Sequence, residues 1–464
     1  MSGLGRPKLR EETLDAVVVV PGIMGSELVD GDGTAMWGLH PRELAAAYQG
    51  GLFDRLAVTD GDLTGVRGVR ATRLLTYPAV VGWFRGSEDY NRLLSRVAAL
   101  VADRRAVLAF PYDWRLPVAS AGARLATEAA DHLQRWRQIV RAEGLGDPQS
   151  VSLTIVAHSM GGLVTRAAQN RGLDELPLKV LTLGTPFYGA VKAARLLAEG
   201  KGAPLPGLPA GKVREFAVSS PGVYDLLPRY RCVTNGPATR ALSTSDVVDL
   251  GGHRELADTA EQDWHALNWA GGPGRAQWRS AVGVDQPTLQ SLEITAGEAS
   301  FFEDIAGVDE FGDGTVYRRA AGPGWQGYSS APVFQSHAAL ISSPDSHTFL
   351  RDKLLDRDSP PPLGTSRISV RFPGIACAGQ RVTVRAAQFA ADDDTHLAPV
   401  GSAQLLVSST NLGDLTTVPW VNDRVDEDGW LVASHVGLAP GLHRVEVTGG
   451  PAPVTDLLWV GDPS

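Results

Sequence analysis

The residue in this sequence best suited to covalent chemistry is Ser159, which stands between small residues in Ala157-His-Ser-Met-Gly161. Residues 151–156 before it form an apolar run, and a helical apolar spacing follows it. A serine on a tight turn between a buried strand and a helix is exposed for attack, and the helix N-terminus stabilises a developing oxyanion. The pattern therefore predicts that Ser159 is a nucleophile for acyl transfer.

Such a serine needs two backbone N–H groups to bind the oxyanion, and one of them belongs to the residue after the nucleophile, Met160. We expect the second from residues 21–26, Pro-Gly-Ile-Met-Gly-Ser, which directly follow the first apolar run. Ile23 is the favoured donor. Met24 is the alternative donor and a candidate substrate contact. The competing interpretation is an ordinary turn between a strand and a loop.

A general base and an acid that orients it should follow the serine in the order Asp, then His. Asp313 lies between turn glycines in Phe311-Gly-Asp-Gly-Thr-Val316, and His337 follows it 24 residues later. In this mechanism His337 takes the proton of Ser159 and returns it to the leaving alcohol, while Asp313 orients the imidazole.

Other residues compete for these roles. His347 is the competing base, but it falls within a predicted helix at 345–356, from which a side chain is poorly placed to reach the serine. Asp304 and Asp309 are the competing acids. His158 lies inside the turn itself and is interpreted as structural.

Alternating strands and helices must position these residues. Apolar runs predict buried strands at 16–20, 106–110, 151–156 and 179–183, and helical spacing covers 89–101, 118–142 and 160–172. Strands that alternate with helices form a parallel sheet covered on both faces. The predicted fold class is α/β, with the doubly wound, mostly parallel sheet of an α/β-hydrolase.

Two further regions are predicted outside this sheet. The alternation fails over 190–285, which indicates a cap insertion whose tryptophans are interpreted as core, and it resumes at 291–295. A proline-rich linker at 357–366 then separates a catalytic domain, 1–358, from residues 365–464. About seven short alternating segments there predict an all-β, immunoglobulin-like sandwich.

Composition excludes several classes of function. Hydrophobic residues make up 43% of the chain and charged residues 20%, as in a globular protein, and the net charge of −9 argues against a nucleic-acid partner. Two cysteines cannot form a disulfide framework, and no pattern indicates a metal or cofactor. A polar N-terminus without a signal peptide, and the lack of about 18 consecutive apolar residues, predict a cytoplasmic protein.

Four blocks together resemble the lecithin:cholesterol acyltransferase family, which includes phospholipid acyltransferases and lysosomal-type phospholipases. They are residues 19–28, 110–116, 157–163 and 312–316, and residues 219–228 add a looser match to a cap segment. The resemblance implies the triad Ser159, Asp313 and His337 and a fatty acyl ester substrate. The block Tyr112-Asp-Trp-Arg115 is the most specific. Its Tyr112 and Trp114 are candidate substrate contacts, and the alternative is that the block braces the sheet.

The resulting hypothesis is a serine esterase that hydrolyses fatty acyl esters through an acyl-enzyme, of phospholipase or lipase type. An acyltransferase that passes the acyl group to an alcohol is the first alternative. The second is an effector lipase that a protein partner triggers, recruited by the β-sandwich. The expected partners are therefore a lipid or other acyl ester, a membrane surface bound peripherally, and a protein bound by the sandwich.

Overall fold

The computed structural model describes most of the chain, and every structural statement below concerns these residues. They are 12–38, 51–75, 90–201, 209–295, 297–326, 328, 330–357, 367–373, 375–389, 401–411, 415–449 and 453–461. The predicted linker lies outside this range except for Arg357.

The described strands fall into a first group up to residue 333 and a second group after residue 366. The first group is β1 (Ala16–Val20), β2 (Ser26–Val29), β3 (Ala35–Trp37), β4 (Arg70–Leu74), β5 (Val107–Ala109), β6 (Leu153–His158), β7 (Leu178–Leu183), β8 (Val233–Asn235), β9 (Ala238–Arg240), β10 (Gln277–Gly283), β11 (Ser291–Thr295), β12 (Glu298–Phe302) and β13 (Ser330–Val333). The second group is β14 (Arg367–Arg371), β15 (Ile375–Cys377), β16 (Arg381–Phe389), β17 (Leu406–Asn411), β18 (Thr417–Pro419), β19 (Val421–Val425), β20 (Leu431–Val436), β21 (Gly441–Thr448) and β22 (Val454–Gly461).

The α-helices of the described residues all precede the second group of strands. They are α1 (Gly51–Leu56), α2 (Asp60–Leu63), α3 (Tyr90–Ala98), α4 (Val118–Glu143), α5 (Gly161–Gln169), α6 (Val191–Glu199), α7 (Ala210–Ser219), α8 (Pro221–Tyr224), α9 (Thr244–Asp249), α10 (Arg254–Ala266) and α11 (Pro344–Leu354).

The central sheet has six strands in the order β13-β10-β7-β6-β1-β5, and every neighbouring pair in it is parallel. Strands β1 and β6 are buried along their whole length, as their continuous apolar sequences predict. The topology reverses between β1 and β6, and ligands of open α/β sheets bind beyond the carboxyl ends of strands near such a point. The predicted α/β-hydrolase sheet is confirmed.

One boundary of the predicted cap is wrong. Strand β10 lies inside the range 190–285 that the sequence assigned to the cap, yet it pairs with β7 and β13 in the central sheet. Its sequence, Gln-Trp-Arg-Ser-Ala-Val-Gly, mixes polar and apolar residues, whereas a continuous apolar run is typical of a buried parallel strand. The sequence predicted that the alternation of strands and helices would resume at β11, but β11 is not part of the central sheet. It belongs to a separate four-stranded sheet, β12-β11-β8-β9.

The predicted C-terminal sandwich is confirmed as two sheets, β14-β16-β20-β19 and β15-β22-β21-β17-β18. The nine described strands outnumber the roughly seven predicted because β15, which joins the other sheet, follows the predicted segment 367–373, and β19 follows the predicted segment 416–420. Strand β15 pairs in parallel with β22, whereas the other pairings of the sandwich are antiparallel. A buried apolar core that includes Val384, Val445 and Leu458 lies between the sheets.

Within the described ranges, no helix combines the length and the apolar character needed to cross a lipid bilayer.

Candidate active site

Ser159 occupies the turn between β6 and α5. Its backbone has a φ of 53°, in the left-handed region that side chains other than glycine seldom adopt, and strain of this kind collects at functional turns. A Cβ on Gly161 would lie 2.6 Å from the carbonyl oxygens of Val20 and Pro21, so only glycine lets α5 start this close to the end of β1. The first small position, Ala157, is fully buried. The local sequence thus builds the strained turn that the motif predicts.

The structure brings the three predicted triad residues together. The Nε2 atom of His337 lies 2.9 Å from Oγ of Ser159, and its Nδ1 atom lies 2.7 Å from Oδ2 of Asp313. All three side chains are buried, with Ser159 5% and His337 9% exposed. A hydroxyl, an imidazole and a carboxylate in this order can transfer a proton away from the hydroxyl as it attacks a carbonyl.

The loop around Asp313 holds the carboxylate in one orientation. Its Oδ1 accepts hydrogen bonds from the N–H groups of Thr315 at 2.9 Å and Val316 at 2.7 Å, which leaves Oδ2 for the imidazole. The N–H of His337 donates to the carbonyl oxygen of Asp313 at 2.7 Å. The acid and the base are therefore joined through both side chain and backbone.

The competing acids and base lie elsewhere. His347 is in α11, and its Nε2 atom contacts the carbonyl oxygen of Ile341 at 3.2 Å. Asp309 accepts a hydrogen bond from Gln290 at 2.5 Å, and Asp304 accepts one from the N–H of Gly307. The structure does not bring any of these three to Ser159.

Of the backbone donors predicted for the oxyanion, Ile23 and Met24 lie in the pocket lining and Met160 directly follows Ser159. Ile23 and Met24 line the same pocket as Ser159, and Met24 has a φ of 61°, a second left-handed position beside the nucleophile. The N–H groups of Ile23 and Met160 donate no hydrogen bond to any described residue, so both are available to an oxyanion. Met160 stands at the N-terminus of α5, where the helix dipole favours negative charge.

A buried network that sequence reasoning missed links the oxyanion loop to the base. The hydroxyl of Tyr90 accepts a hydrogen bond from the N–H of Gly22 at 2.9 Å and lies 2.8 Å from Nδ1 of His158. Nε2 of His158 contacts the carbonyl oxygen of His337 at 3.3 Å, which requires a proton on Nε2 and leaves Nδ1 to accept from Tyr90. Only the position of His158 within the turn pointed to this network.

His158 stays neutral in this network. Complete burial, followed by repulsion from His337, holds the pKa of the His158 imidazole well below its usual value, and the bond to the His337 carbonyl opposes this only in part. A neutral ring can donate on one side and accept on the other, as the two contacts require. His158 is thus structural in its contacts, as predicted.

The block Tyr112–Arg115 lies behind the site rather than in it. The Tyr112 hydroxyl donates to the carbonyl oxygen of Pro21 at 3.0 Å, and the Trp114 indole donates to that of Ser26 at 3.0 Å. Both side chains are fully buried, and neither is among the described residues that line the pocket. The two candidate substrate contacts therefore brace the oxyanion loop, which fits the alternative interpretation of this block.

Arg115 extends this bracing to the neighbouring helices. Its buried guanidinium contacts Asp113 at 2.7 Å and Asp62 of α2 at 2.9 Å. Its backbone carbonyl accepts hydrogen bonds from Ser220 and Gly222 at the start of α8. A buried cation with two carboxylate partners is well compensated, whereas loss of the guanidinium would leave both carboxylates with less compensation.

The pocket next to Ser159 has a volume of about 150 Å³ and is mainly apolar. The apolar side chains that line it are Ile23, Met24, Pro186, Ala190, Ala193, Leu196, Phe216, Val223, Leu226, Val316 and Ala338. Lys192 and Asp456 also line the pocket and add charged groups to it. A reactive hydroxyl beside an apolar cavity suits an ester whose acyl part is a hydrocarbon.

No three His, Cys, Asp or Glu side chains in the described ranges are grouped so that they could hold a metal ion.

Solved structures match this chain at low sequence identity and with TM-scores below 0.5. The Tle4-Tli4 complex matches with 14% identity and a TM-score of 0.47, over 73% of this chain and 96% of that one. Bacillus licheniformis lipase BlEst2 in its propeptide form matches with 13% identity and a TM-score of 0.35, over 98% and 75%. Phospholipase PlaB from Legionella pneumophila matches with 10% identity and a TM-score of 0.27, over 96% and 88%.

No protein of curated function matches the sequence. A family model does match: the one described as lecithin:cholesterol acyltransferase covers residues 66–266. That range contains the block Tyr112–Arg115, the turn at Ser159 and the cap segment at 219–228. The predicted resemblance to the lecithin:cholesterol acyltransferase family is thereby confirmed over residues 66–266.

Proposed function

We propose that this chain is a serine hydrolase of fatty acyl esters, with phospholipids as its substrate class and Ser159, His337 and Asp313 as its catalytic residues. The observation that carries the proposal is the 2.9 Å contact between Ser159 Oγ and His337 Nε2 beside an apolar pocket. The family match, to enzymes that act on acyl esters of lipids, supports the substrate class.

In the proposed reaction the acyl chain lies along the apolar wall and the ester carbonyl oxygen points to the N–H groups of Ile23 and Met160. Ser159 Oγ attacks the carbonyl carbon while His337 Nε2 takes its proton. Collapse of the tetrahedral intermediate breaks the bond to the alcohol oxygen, which leaves with that proton. A water molecule then gives its proton to His337 and attacks the acyl-enzyme, which releases the fatty acid and restores Ser159.

A second candidate differs only in the last step. If the hydroxyl of an acceptor alcohol replaces the water, the product is a new ester and the protein is an acyltransferase. The family match favours this candidate as a second choice, because the family model is named for acyl transfer. The chemistry of Ser159 and His337 is identical in both reactions.

Both candidates can be tested on one substrate. Purified protein is incubated with vesicles of a phospholipid carrying a radiolabelled acyl chain, with and without a long-chain alcohol or sterol, beside the variant Ser159→Ala. The proposal expects free fatty acid as the main product in both conditions and no product with Ser159→Ala. If most of the released label is instead found in an ester of the added alcohol or sterol, the protein is an acyltransferase. Equal release by wild type and Ser159→Ala would refute the catalytic assignment.

A further inference from the structure

The β-sandwich contacts the two loops that carry the proposed acid and base. Gln286, which follows β10, uses both ends of its side-chain amide on strand β14. Its Nε2 donates to the carbonyl oxygen of Ile368 at 2.8 Å, and its Oε1 accepts from the N–H of Val370 at 3.3 Å. Gln286 is only 3% exposed. The side-chain amide of Gln286 therefore binds the backbone of β14 as a neighbouring strand would. It connects the sandwich to the catalytic region.

The backbone of the same residue holds the acid loop. The N–H of Gln286 donates to the carbonyl oxygen of Gly312 at 2.8 Å, and the N–H of Gly312 donates back to Gln286 at 3.0 Å. Gly312 directly precedes Asp313. One residue thus binds strand β14 through its side chain and the Asp313 loop through its backbone.

A second pair of contacts reaches the loop that carries the base. Gln335 donates from Nε2 to the carbonyl oxygen of Pro453 at 2.8 Å, and Ser336 donates from Oγ to that of Thr455 at 2.8 Å. Both side chains are buried, at 3% and 8% exposure, and both directly precede His337. The chain around the start of β22 therefore fixes the backbone from which the imidazole projects.

The sandwich also reaches the pocket itself. Asp456 of β22 lines the same cavity as Ser159 and His337, and Leu442 of β21 packs against the hydrophobic core of the catalytic region. A module that only recruits the enzyme to a partner requires none of these buried contacts. Hydrogen bonds between buried neutral groups depend strongly on distance and orientation. These bonds to the sandwich therefore fix where the backbone of the acid and base loops lies.

We propose that the β-sandwich is a positioning part of the active site, with Gln286, Gln335 and Ser336 as positioning residues. They hold the loops of Asp313 and His337 in the geometry that activates Ser159, and Asp456 completes one wall of the pocket. The inference rests on the proposed function, because it concerns how the same triad is held.

The test uses the full chain and two reagents that need no lipid surface. The double variant Gln335→Met/Ser336→Ala removes both donors from the base loop while nearly keeping side-chain volume. Ser336→Thr keeps the hydroxyl and is the conservative variant. Ser409→Ala is the matched control, because Ser409 is a fully buried serine that accepts a hydrogen bond from Trp420 inside the sandwich, and strand β21 separates its strand, β17, from β22. The measurements are the rate constant for fluorophosphonate labelling, kcat and KM for p-nitrophenyl butyrate, and the melting temperature.

A misplacement of the base by about 1 Å costs on the order of 100-fold in rate, so we expect labelling and kcat of the double variant to fall at least about tenfold. KM should change little, and Ser336→Thr and Ser409→Ala should react like the wild type. If the double variant melts below the assay temperature, the single Ser336→Ala, compared with Ser336→Thr, provides the same contrast.

The two hypotheses fail in different ways. A reactive wild type together with equally reactive donor-loss variants would overturn the positioning role and leave the proposed function intact. Equal losses in the double variant and in Ser409→Ala would also overturn it, because the effect would then follow stability rather than contact with the base loop. A wild type that reacts with neither reagent would overturn the proposed function, and this inference with it.

Discussion

Replacement of Asp225 by asparagine should stabilise the protein, and more at high pH than at low pH. Asp225 lies at the end of α8 in the cap segment, and its Oδ2 accepts a hydrogen bond at 2.7 Å from the N–H of Val118, the first residue of α4. Burial raises the pKa of the Asp225 carboxyl to about 7, with a smaller rise from Asp263, while the Val118 N–H and Arg229 act in the opposite direction.

The sign of the effect follows from the direction of this shift. A carboxyl whose pKa is raised on folding contributes stability that is fully present below its unfolded pKa, 3.8, and is lost as the pH rises to its folded pKa. A rise of this pKa from 3.8 to about 7 corresponds to about 4 kcal/mol of unfolding free energy lost between about pH 4 and pH 7. At pH 5 about a third of that loss has already occurred, which leaves roughly two thirds of it, about 3 kcal/mol, between pH 5 and pH 8.

Asp225→Asn removes the charge but keeps an oxygen that can accept from Val118. Urea unfolding followed by tryptophan fluorescence at pH 5 and pH 8 compares the two proteins. The variant should gain about 3 kcal/mol more over the wild type at pH 8 than at pH 5. The same difference at both pH values, or a variant less stable than the wild type at pH 8, would refute the reasoning.

Three further substitutions test the contacts around the site. Tyr90→Phe leaves the buried N–H of Gly22 without its acceptor, so it should lower the unfolding free energy by about 2 kcal/mol and slow fluorophosphonate labelling. An unchanged unfolding free energy together with an unchanged labelling rate would argue against the network. Gly283→Ala places a Cβ 2.3 Å from the Cβ of Asp313. Because this contact displaces the Asp313 loop, kcat should fall by roughly 100-fold in a protein that still folds, and a wild-type kcat would contradict this. Arg115→Met removes the buried cation that pairs with Asp62 and Asp113, leaves Asp62 with the ion pair to Arg67, and should cost about 3 kcal/mol in urea unfolding; failure of an added Asp62→Asn to recover part of that loss would show that the charge is not the cause.

Much of the fold could be predicted because its information is local. The apolar run 16–20 and the small residues around Ser159 each specify one element through nearby sequence, and both elements appear in the structure. The order Ser, Asp, His then restricted the partners to the region after residue 159, and the turn glycines around Asp313 marked one of them.

What could not be predicted depends on contacts between distant parts of the chain. Strand β10 has a mixed polar sequence because its side chains find partners elsewhere: the Trp278 indole donates to Gln169 at 3.2 Å, and Ser280 contacts Thr182. The role of Tyr90 arises from a contact with His158 across 68 residues. The bonds from Gln286 and Gln335 to the sandwich span more than 80 residues, and no local pattern distinguishes these glutamines from surface residues.

The central claim is that Ser159 is a nucleophile activated by His337. The most direct measurement treats the wild type, Ser159→Ala and His337→Ala with a fluorophosphonate and locates the adduct by mass spectrometry of the digested protein. We expect one modified peptide in the wild type, with the adduct on Ser159. We expect no adduct at that position in Ser159→Ala, and labelling slowed by at least about 1,000-fold in His337→Ala. An adduct on another residue, or labelling of His337→Ala at the wild-type rate, would contradict it.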